Sequence, residues 1–167
     1  MYNKYETEVM QMKLTSEDIK NISSIKEEPS WMLYFRLNAF EHFINSDEPT
    51  FGPKLDIDYD SINYYKKREE KLTNDWNDIS CEVRDVFDNL GVIKAEKTYL
   101  DGMGAQYDSE VIYHNMIQEL EDKNVIFMDT DSALKKHPDI FKKYFNKLVK
   151  YDENKFTALN GAVWSGG

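Results

Sequence analysis

The 167-residue chain is long enough for one ordinary domain, and its 41% hydrophobic content is enough to build a core. Lys and Arg number 21 against 31 Asp and Glu, so the net charge of −10 argues against nucleic acid and anionic membranes as partners. The sequence carries neither a secretory signal pattern nor an apolar run of about 18 residues, the length that crosses a membrane. Cys81 is the single cysteine, which excludes an internal disulfide, and we expect a cytoplasmic protein.

Two helices are predicted in the first 45 residues. Thr15 and Asp18 have the spacing of a capping box that opens the first helix, and Pro29 suits the first turn of the second. The apolar residues of the second helix recur at spacings of four, three and four, which places them on one helical face. These residues are Leu33, Leu37, Phe40 and Ile44, and Met32, Phe35 and Phe43 widen the apolar stripe.

Residues 46–79 combine proline, glycine and dense charge, which predicts an extended and largely irregular connection. A helix is predicted over residues 80–89, with Gly91 as its carboxyl-terminal glycine. A third helix is predicted after a cap at Asp108 or Ser109, with Ile112, Met116 and Leu120 on one face. A strand is predicted over 125–129. Three helices are predicted after it: one over 132–136, one restarted by Pro138, and a last one over 153–164. The sequence thus predicts a predominantly helical α+β domain with one or a few short strands.

Acidic residues give the chain its most evident candidate metal sites. Asp56, Asp58 and Asp60 occupy the first, third and fifth places of a calcium loop, but Ser61 and Lys67 stand where glycine and a bidentate acid are required. The alternation instead predicts an extended segment whose acids face solvent while Ile57 and Tyr59 turn inward. Asp129 and Asp131 follow the predicted strand, where acids hold a divalent ion in other folds, and helix capping by Asp131 or Ser132 is the alternative.

Neither the glycines nor the histidines form a recognisable site. Gly102 and Gly104 match the start of a dinucleotide-binding pattern, but Tyr107 stands in place of the third glycine, so a turn is predicted instead. The three histidines lack metal-ligand spacing; they are His42, His114 and His137. We therefore expect no catalytic, cofactor-binding or metal-binding residues in this chain.

Cys81 is the candidate reactive thiol, because it is predicted to lie in the first turn of a helix, where the helix dipole lowers a thiol pKa. Its charged neighbours are mostly anionic: Asp78, Glu82 and Asp85 surround it, and Arg84 alone is a cation. A partly buried, inert cysteine is the alternative interpretation.

Five stretches, in chain order, resemble the SufB family, the scaffold subunits of the Suf iron-sulfur cluster assembly system. They are "EPSWMLYFRLNAFEHF" at 28–43, "DYDSINYY" at 58–65, "GMGAQYDSEVIYHNM" at 102–116, "VIFMDTDSALKKHPDIFKKYF" at 125–145 and "NKFTALNGAVWSGG" at 154–167. The stretch "GAQYDSEVIYH" is more similar to SufB than to its sister subunit SufD.

The resemblance implies that residues 1–167 form an amino-terminal helical domain, a fragment whose family continues into a parallel β-helix. Residues 152–167 would then be the junction to that β-helix, and we expect Val163 and Trp164 to lie exposed as its interface. Gly161 stands where the family has alanine, which predicts a weaker last helix by about 1 kcal/mol.

The resemblance also implies a function without catalysis by this segment. The family assembles an iron-sulfur cluster together with a SufC-like ATPase and a SufD-like subunit, which dock on downstream parts, and it receives sulfur from sulfur-transfer proteins. The cluster is implied for the full-length family protein, with no cofactor in this segment. Two alternatives are a stand-alone interaction module that binds desulfurase or scaffold components, and a small metal-dependent hydrolase using Asp56, Asp58, Asp129 or Asp131.

Overall fold

A computed structural model describes residues 13–67, 72–91, 103–115, 120 and 122–167. The helices are α1 (Ser16–Ile25), α2 (Ser30–Asn45), α3 (Cys81–Asn89), α4 (Thr130–Lys136), α5 (Pro138–Tyr144) and α6 (Lys155–Val163), and the strands are β1 (Met103–Tyr107) and β2 (Glu110–Asn115). Two compact units divide the chain: a first unit of the residues up to Tyr64 with Val149–Val163, and a second unit of Tyr65–Leu148 with Trp164–Gly167. The predominantly helical α+β class predicted from the sequence is confirmed.

The first unit begins with the predicted capping box. The Thr15 hydroxyl accepts a hydrogen bond from the Asp18 amide at 3.3 Å, and the Asp18 carboxylate accepts one from the Thr15 amide at 2.8 Å. Both bonds satisfy amides that the first helical turn leaves without partners. The helix that follows, α1, buries Ile19 and Ile22.

Helix α2 begins after Pro29, as predicted, but its buried face differs from the predicted stripe. Ile44 is 54% exposed, whereas Phe40 is buried, as are Met32 and Phe43 from the residues that widen the predicted stripe. The buried residues of α2 are Met32, Arg36, Ala39, Phe40 and Phe43. The apolar pattern did not predict this buried face, because the face contains Arg36. A hydrophobicity pattern assigns an arginine to the solvent-exposed side of a helix.

Small residues allow α6 to pack directly on α2. The shared core of the first unit consists of Leu14, Ile19, Ala39, Phe40, Phe43, Ala158 and Ala162. Ala39, Ala158 and Ala162 have no exposed surface, so the two backbones approach closely at these positions. The Asn154 side chain caps α6 by accepting hydrogen bonds from the amides of Phe156 and Thr157 at 2.9 and 3.1 Å.

Strands β1 and β2 correct the helix predicted after Asp108. They form an antiparallel hairpin in which Tyr107 pairs with Glu110 across a two-residue loop of Asp108 and Ser109. Asp108 has φ of +53°, a conformation that aspartate tolerates better than most residues. The hairpin buries Ala105, Ile112 and Tyr113 together with Ile79 and Val83 in the core of the second unit, and its cross-strand side-chain pairs stabilise it. Met116, the centre of the predicted helix, lies outside the described residues.

The predicted strand over 125–129 is also wrong. The sheet of the described residues has only β1 and β2, and a short apolar run forms a strand only when another strand pairs with it. The following helix, α4, starts at Thr130, two residues earlier than predicted, because Asp129 is the cap and accepts a hydrogen bond from the Ser132 amide at 2.8 Å. Pro138 then begins α5, so the predicted helical pair is confirmed.

Candidate interaction sites

Two of the four carboxylates named as hydrolase candidates cap local structure. Asp58 caps a 3-10 turn by accepting a hydrogen bond from the Asp60 amide at 3.1 Å, and Asp129 caps α4. The predicted alternation is confirmed, since Asp56 and Asp58 are exposed while Tyr59 turns toward the core of the first unit. Within the described ranges, no three His, Cys, Asp or Glu side chains are grouped as a metal would require. The hydrolase interpretation has no geometric support there.

The glycine and cysteine candidates also lie on regular elements. Gly104 is in β1, which replaces the predicted turn, and Gly102 is outside the described residues. Cys81 is the first residue of α3, and it is exposed rather than partly buried. Its sulfur accepts a hydrogen bond from the Arg84 guanidinium at 3.2 Å, so the one nearby cation is the group that contacts the thiol.

A cleft of about 390 Å³ opens in the first unit beside Tyr59 and Lys155. The Lys155 ammonium lies 2.9 Å from the Glu48 carboxylate and 5.2 Å from the centre of the Tyr59 ring, and the Tyr59 hydroxyl donates to Glu48 at 3.1 Å. The hydrogen bond from Lys155 lowers the pKa of Glu48, and burial, followed by the bond to Glu48, raises the pKa of Tyr59 to about 12. The Lys155 ammonium thus already occupies the face of the Tyr59 ring to which a cationic ligand would bind. The contacts among Lys155, Tyr59 and Glu48 therefore stabilise the junction of α6 with the preceding chain.

Val163, one of the two predicted interface residues, packs inside the first unit. Its side chain is half-buried against the α2 and α6 core, and the adjacent Ala162 is fully buried. The Ala162 carbonyl accepts a hydrogen bond from the Arg36 guanidinium at 3.0 Å. This end of α6 is therefore held from within the described chain rather than left exposed as expected.

Trp164, the other predicted interface residue, belongs to an aromatic stack in the second unit. The Phe141 and Phe145 rings stack on each other with centres 4.9 Å apart, and the indole of Trp164 lies 5.1 Å from Phe145 and 6.1 Å from Phe141. The indole is half-buried, and its expected role as an interface residue stays a prediction. Such aromatic pairs stabilise by about 0.5 to 1.5 kcal/mol beyond their buried area.

The last two glycines are bound to the start of α4. The Thr130 amide donates to the Gly167 carbonyl and the Thr130 hydroxyl donates to the Gly166 carbonyl, both at 2.7 Å. Gly166 has φ of +74°, and a Cβ there would lie 2.4 Å from the Gln106 side chain. Position 166 therefore favours glycine for its backbone conformation, whereas the exposed end of the Gln106 side chain can move aside.

A membrane-spanning role finds no support in the described residues, since none of their helices is both long and apolar enough to cross a bilayer. The sites of the described chain are thus surfaces, caps and packing contacts.

Comparison with known proteins shows what the chain is similar to. No family model matches the chain. The chain is 48% identical over 155 residues to the iron-sulfur cluster assembly protein SufB of Bacillus subtilis, and equally to SufBD family proteins of Staphylococcus saprophyticus and Staphylococcus aureus USA300. Each match covers 92% of this chain and 33% of the relative, so the chain spans about a third of the length of these relatives. Over that third the chain is similar to the SufB and SufBD family proteins, so the resemblance predicted from the sequence is confirmed.

Proposed function

We propose that this chain is the amino-terminal domain of an iron-sulfur cluster assembly scaffold of the SufB kind, and that it has an assembly role without catalysis of its own. The observation that carries the proposal is the 48% identity over 92% of the chain to proteins named for iron-sulfur cluster assembly. In this proposal the SufC-like ATPase and the SufD-like subunit bind the remaining part of the longer protein.

The chemistry of the chain supports a role beside the cluster rather than around it. Protein-bound iron-sulfur clusters are held mainly by several cysteine thiolates, and Cys81 is the only cysteine of the 167 residues. The cluster is the cargo of such a scaffold, and this segment supplies at most one thiolate to it. Asp58 and Asp129, which could have served as oxygen ligands, are engaged in capping.

The first test measures the native molecular mass and the binding partners of the protein in its source cells. An antibody against the 167-residue chain is used for a denaturing gel and for immunoprecipitation, with antibody pre-absorbed on the chain as control. We expect a species about three times the 19.7 kDa of this chain, because the chain covers 33% of its relatives. Mass spectrometry of the precipitate should identify an ATPase and a second SufBD-like subunit.

The second test is function in the cell. Depletion of the protein should lower the activity of an iron-sulfur enzyme such as aconitase several-fold while a cluster-free dehydrogenase keeps its activity. Unchanged aconitase activity would refute the assembly role. A single 19.7 kDa species that precipitates neither subunit would instead favour the stand-alone interaction module.

A further inference from the structure

Helix α6 contains the one Asn-Gly pair of the 167 residues, Asn160 and Gly161. An asparagine side chain can react with the backbone nitrogen of the residue that follows it. Glycine at that place hinders the reaction least, because it has no side chain and the freest backbone. This pair is therefore the position at which the unfolded chain is most reactive toward deamidation.

Deamidation of this pair requires water and no other reagent. The Gly161 backbone nitrogen bonds to Cγ of Asn160, which closes a succinimide ring, and the side-chain nitrogen leaves as ammonia with the proton of the Gly161 amide. Water then opens the ring at one of its two carbonyls, which gives aspartate or isoaspartate at position 160. Both products add a negative charge, and isoaspartate also adds one carbon atom to the backbone.

In the folded chain, α6 holds the pair in an unreactive geometry. Helical hydrogen bonding directs the Gly161 N–H to the carbonyl four residues earlier, so the nitrogen cannot turn toward Asn160 Cγ. The Asn160 side chain itself is exposed to water. The helical backbone rather than solvent access therefore controls the reaction, which requires the carboxyl-terminal turn of α6 to open.

Contacts within the first unit oppose this opening. The Ala162 carbonyl accepts a hydrogen bond from the Arg36 guanidinium at 3.0 Å, and Ala158 and Ala162 have no exposed surface. Opening the last turn of α6 removes that bond from a buried arginine and exposes the alanines. Because only the open state reacts, the free energy of this local opening sets the rate of deamidation.

The packing around Gly161 leaves no room for the isoaspartate product. Gly161 is buried, and a Cβ on it would lie inside van der Waals distance of the Tyr151 and Ala39 Cβ atoms. An extra backbone atom directly before Gly161 displaces this residue and the Ala162 carbonyl after it, and a closely packed core does not absorb such a shift. Aspartate at position 160, in contrast, keeps the backbone unchanged.

We propose that Asn160 is a deamidation site that makes the opening of α6 irreversible. The site is protected while α6 is packed on α2, and isoaspartate that forms in the open state prevents the helix from packing again. Chemical modification of an open state is a general route from reversible to irreversible unfolding. The proposal does not depend on the scaffold function.

The first test compares the rate of deamidation in the folded 167-residue chain with the rate in guanidinium chloride, at one temperature and one mildly alkaline pH. Peptide mapping by mass spectrometry locates the product at position 160. We expect deamidation to be at least about tenfold slower in the folded chain, since only the open fraction reacts. A synthetic peptide of residues 154–167 should react equally fast with and without guanidinium chloride. Equal rates in the folded and unfolded chain would overturn the proposal.

Paired variants test whether local opening of α6 controls the rate. Ala158→Gly weakens α6 by about 1 kcal/mol and should accelerate deamidation of the folded chain about fivefold without changing the rate in guanidinium chloride. Ala133→Gly makes the same change in α4, in the second unit, and should leave both rates unchanged. Equal acceleration by the two variants would mean that only global unfolding exposes the pair, which would overturn the proposal. Circular dichroism checks that both variants are folded.

The last test measures the effect of the product on folding. A chain with isoaspartate at position 160 is isolated chromatographically from a sample aged in denaturant, and Asn160→Asp is its control with the same charge and an ordinary backbone. We expect Asn160→Asp to refold and to unfold at nearly the denaturant concentration of the parent chain. The isoaspartate chain should unfold at a clearly lower concentration or fail to refold. Equal stability of the two chains would overturn the proposal.

Discussion

Gly161 occupies the point where α6 comes nearest to its neighbours. A Cβ at this position would lie 2.9 Å from the Tyr151 Cβ and 3.1 Å from the Ala39 Cβ, distances at which atoms must shift. The sequence predicts that this glycine weakens the helix relative to alanine, and the intrinsic propensity indeed favours alanine by about 1 kcal/mol. In the folded protein the absence of a side chain at Gly161 permits the packing of α6. The steric cost of an alanine at this position is therefore larger than its gain in helix propensity.

We therefore expect Gly161→Ala to destabilise the chain by about 1 kcal/mol, because an overpacking cost of about 1 to 3 kcal/mol exceeds the gain in propensity. Asn160→Ala is the matched control, since Asn160 is exposed on the same helix and gains propensity without a clash. Urea denaturation measures both free energies of unfolding. Stabilisation of Gly161→Ala to the level of Asn160→Ala would contradict the packing argument.

Cys81 is accessible in the folded state. Because the sulfur is exposed at the start of α3, we expect a thiol reagent such as dithionitrobenzoate to modify the native chain without denaturant. Cys81→Ser gives the background, and Arg84→Gln tests whether the guanidinium 3.2 Å from the sulfur alters the rate. Reaction only after addition of urea would show that the thiol is covered in solution.

At the scale of the elements, Arg36 and Glu28 join the start of α2 to the end of α6. Both side chains have no exposed surface, and the guanidinium donates two hydrogen bonds to the Glu28 carboxylate at 2.7 and 2.8 Å and a third to the Ala162 carbonyl. A buried charge is tolerated only when such bonds replace its lost water. The ion pair thus fixes which face of α2 meets α6.

Arg36→Met is expected to cost about 3 to 5 kcal/mol in unfolding free energy, because it leaves the Glu28 carboxylate buried without its cation. The double variant Arg36→Met/Glu28→Met should recover much of that loss, since an apolar pair can replace a buried ion pair at little cost. Arg36→Lys should cost nearly as much unfolding free energy as Arg36→Met, because the lysine ammonium cannot form the bidentate hydrogen bond that the guanidinium donates to Glu28. Urea denaturation gives all three values, and additive losses in the double variant would contradict this account.

The Tyr59 site predicts how stability depends on pH. Its pKa is raised from 10.0 to about 12 in the folded chain, so folding favours the neutral phenol. The stabilisation from this group is complete below pH 10 and is lost as the pH rises from 10 toward 12. Tyr59→Phe should make the unfolding free energy less dependent on pH in this interval. Tyr34→Phe, at a position 69% exposed, should keep the dependence of the parent chain.

The sequence was informative where the signals were local. The Thr15 capping box, the helix from Cys81 and the helix restart at Pro138 depend on neighbouring residues, and the structure confirms them. The hairpin was not predicted, although the sequence contains a signal for it. Asp108 and Ser109 lie between Tyr107 and the β-favouring run Val111–Tyr113, which is the pattern of two strands joined by a two-residue loop. The burial of Arg36 could not be predicted locally, because Ala162, which accepts its third hydrogen bond, is 126 residues away.

At the scale of the whole molecule, the exposed apolar side chains are not the ones that the sequence suggested. The candidate interface residues Val163 and Trp164 are half-buried within the described chain. Among the described residues, Leu148, Leu90 and Tyr34 are far more exposed, at 95%, 73% and 69%. Composition alone could not distinguish these sites, because packing by distant residues decides which apolar groups remain exposed.

The packing of α6 on α2 has a consequence for synthesis of the protein. About 110 residues separate the end of α2 at Asn45 from the start of α6 at Lys155, and translation at about 5 to 20 residues per second needs roughly 5 to 20 s for that length. Phe40 and Phe43 are made early, but the helix that covers them is made near the end of the 167 residues. On the ribosome the nascent chain therefore presents this aromatic face for seconds, an interval in which chaperones have time to bind it.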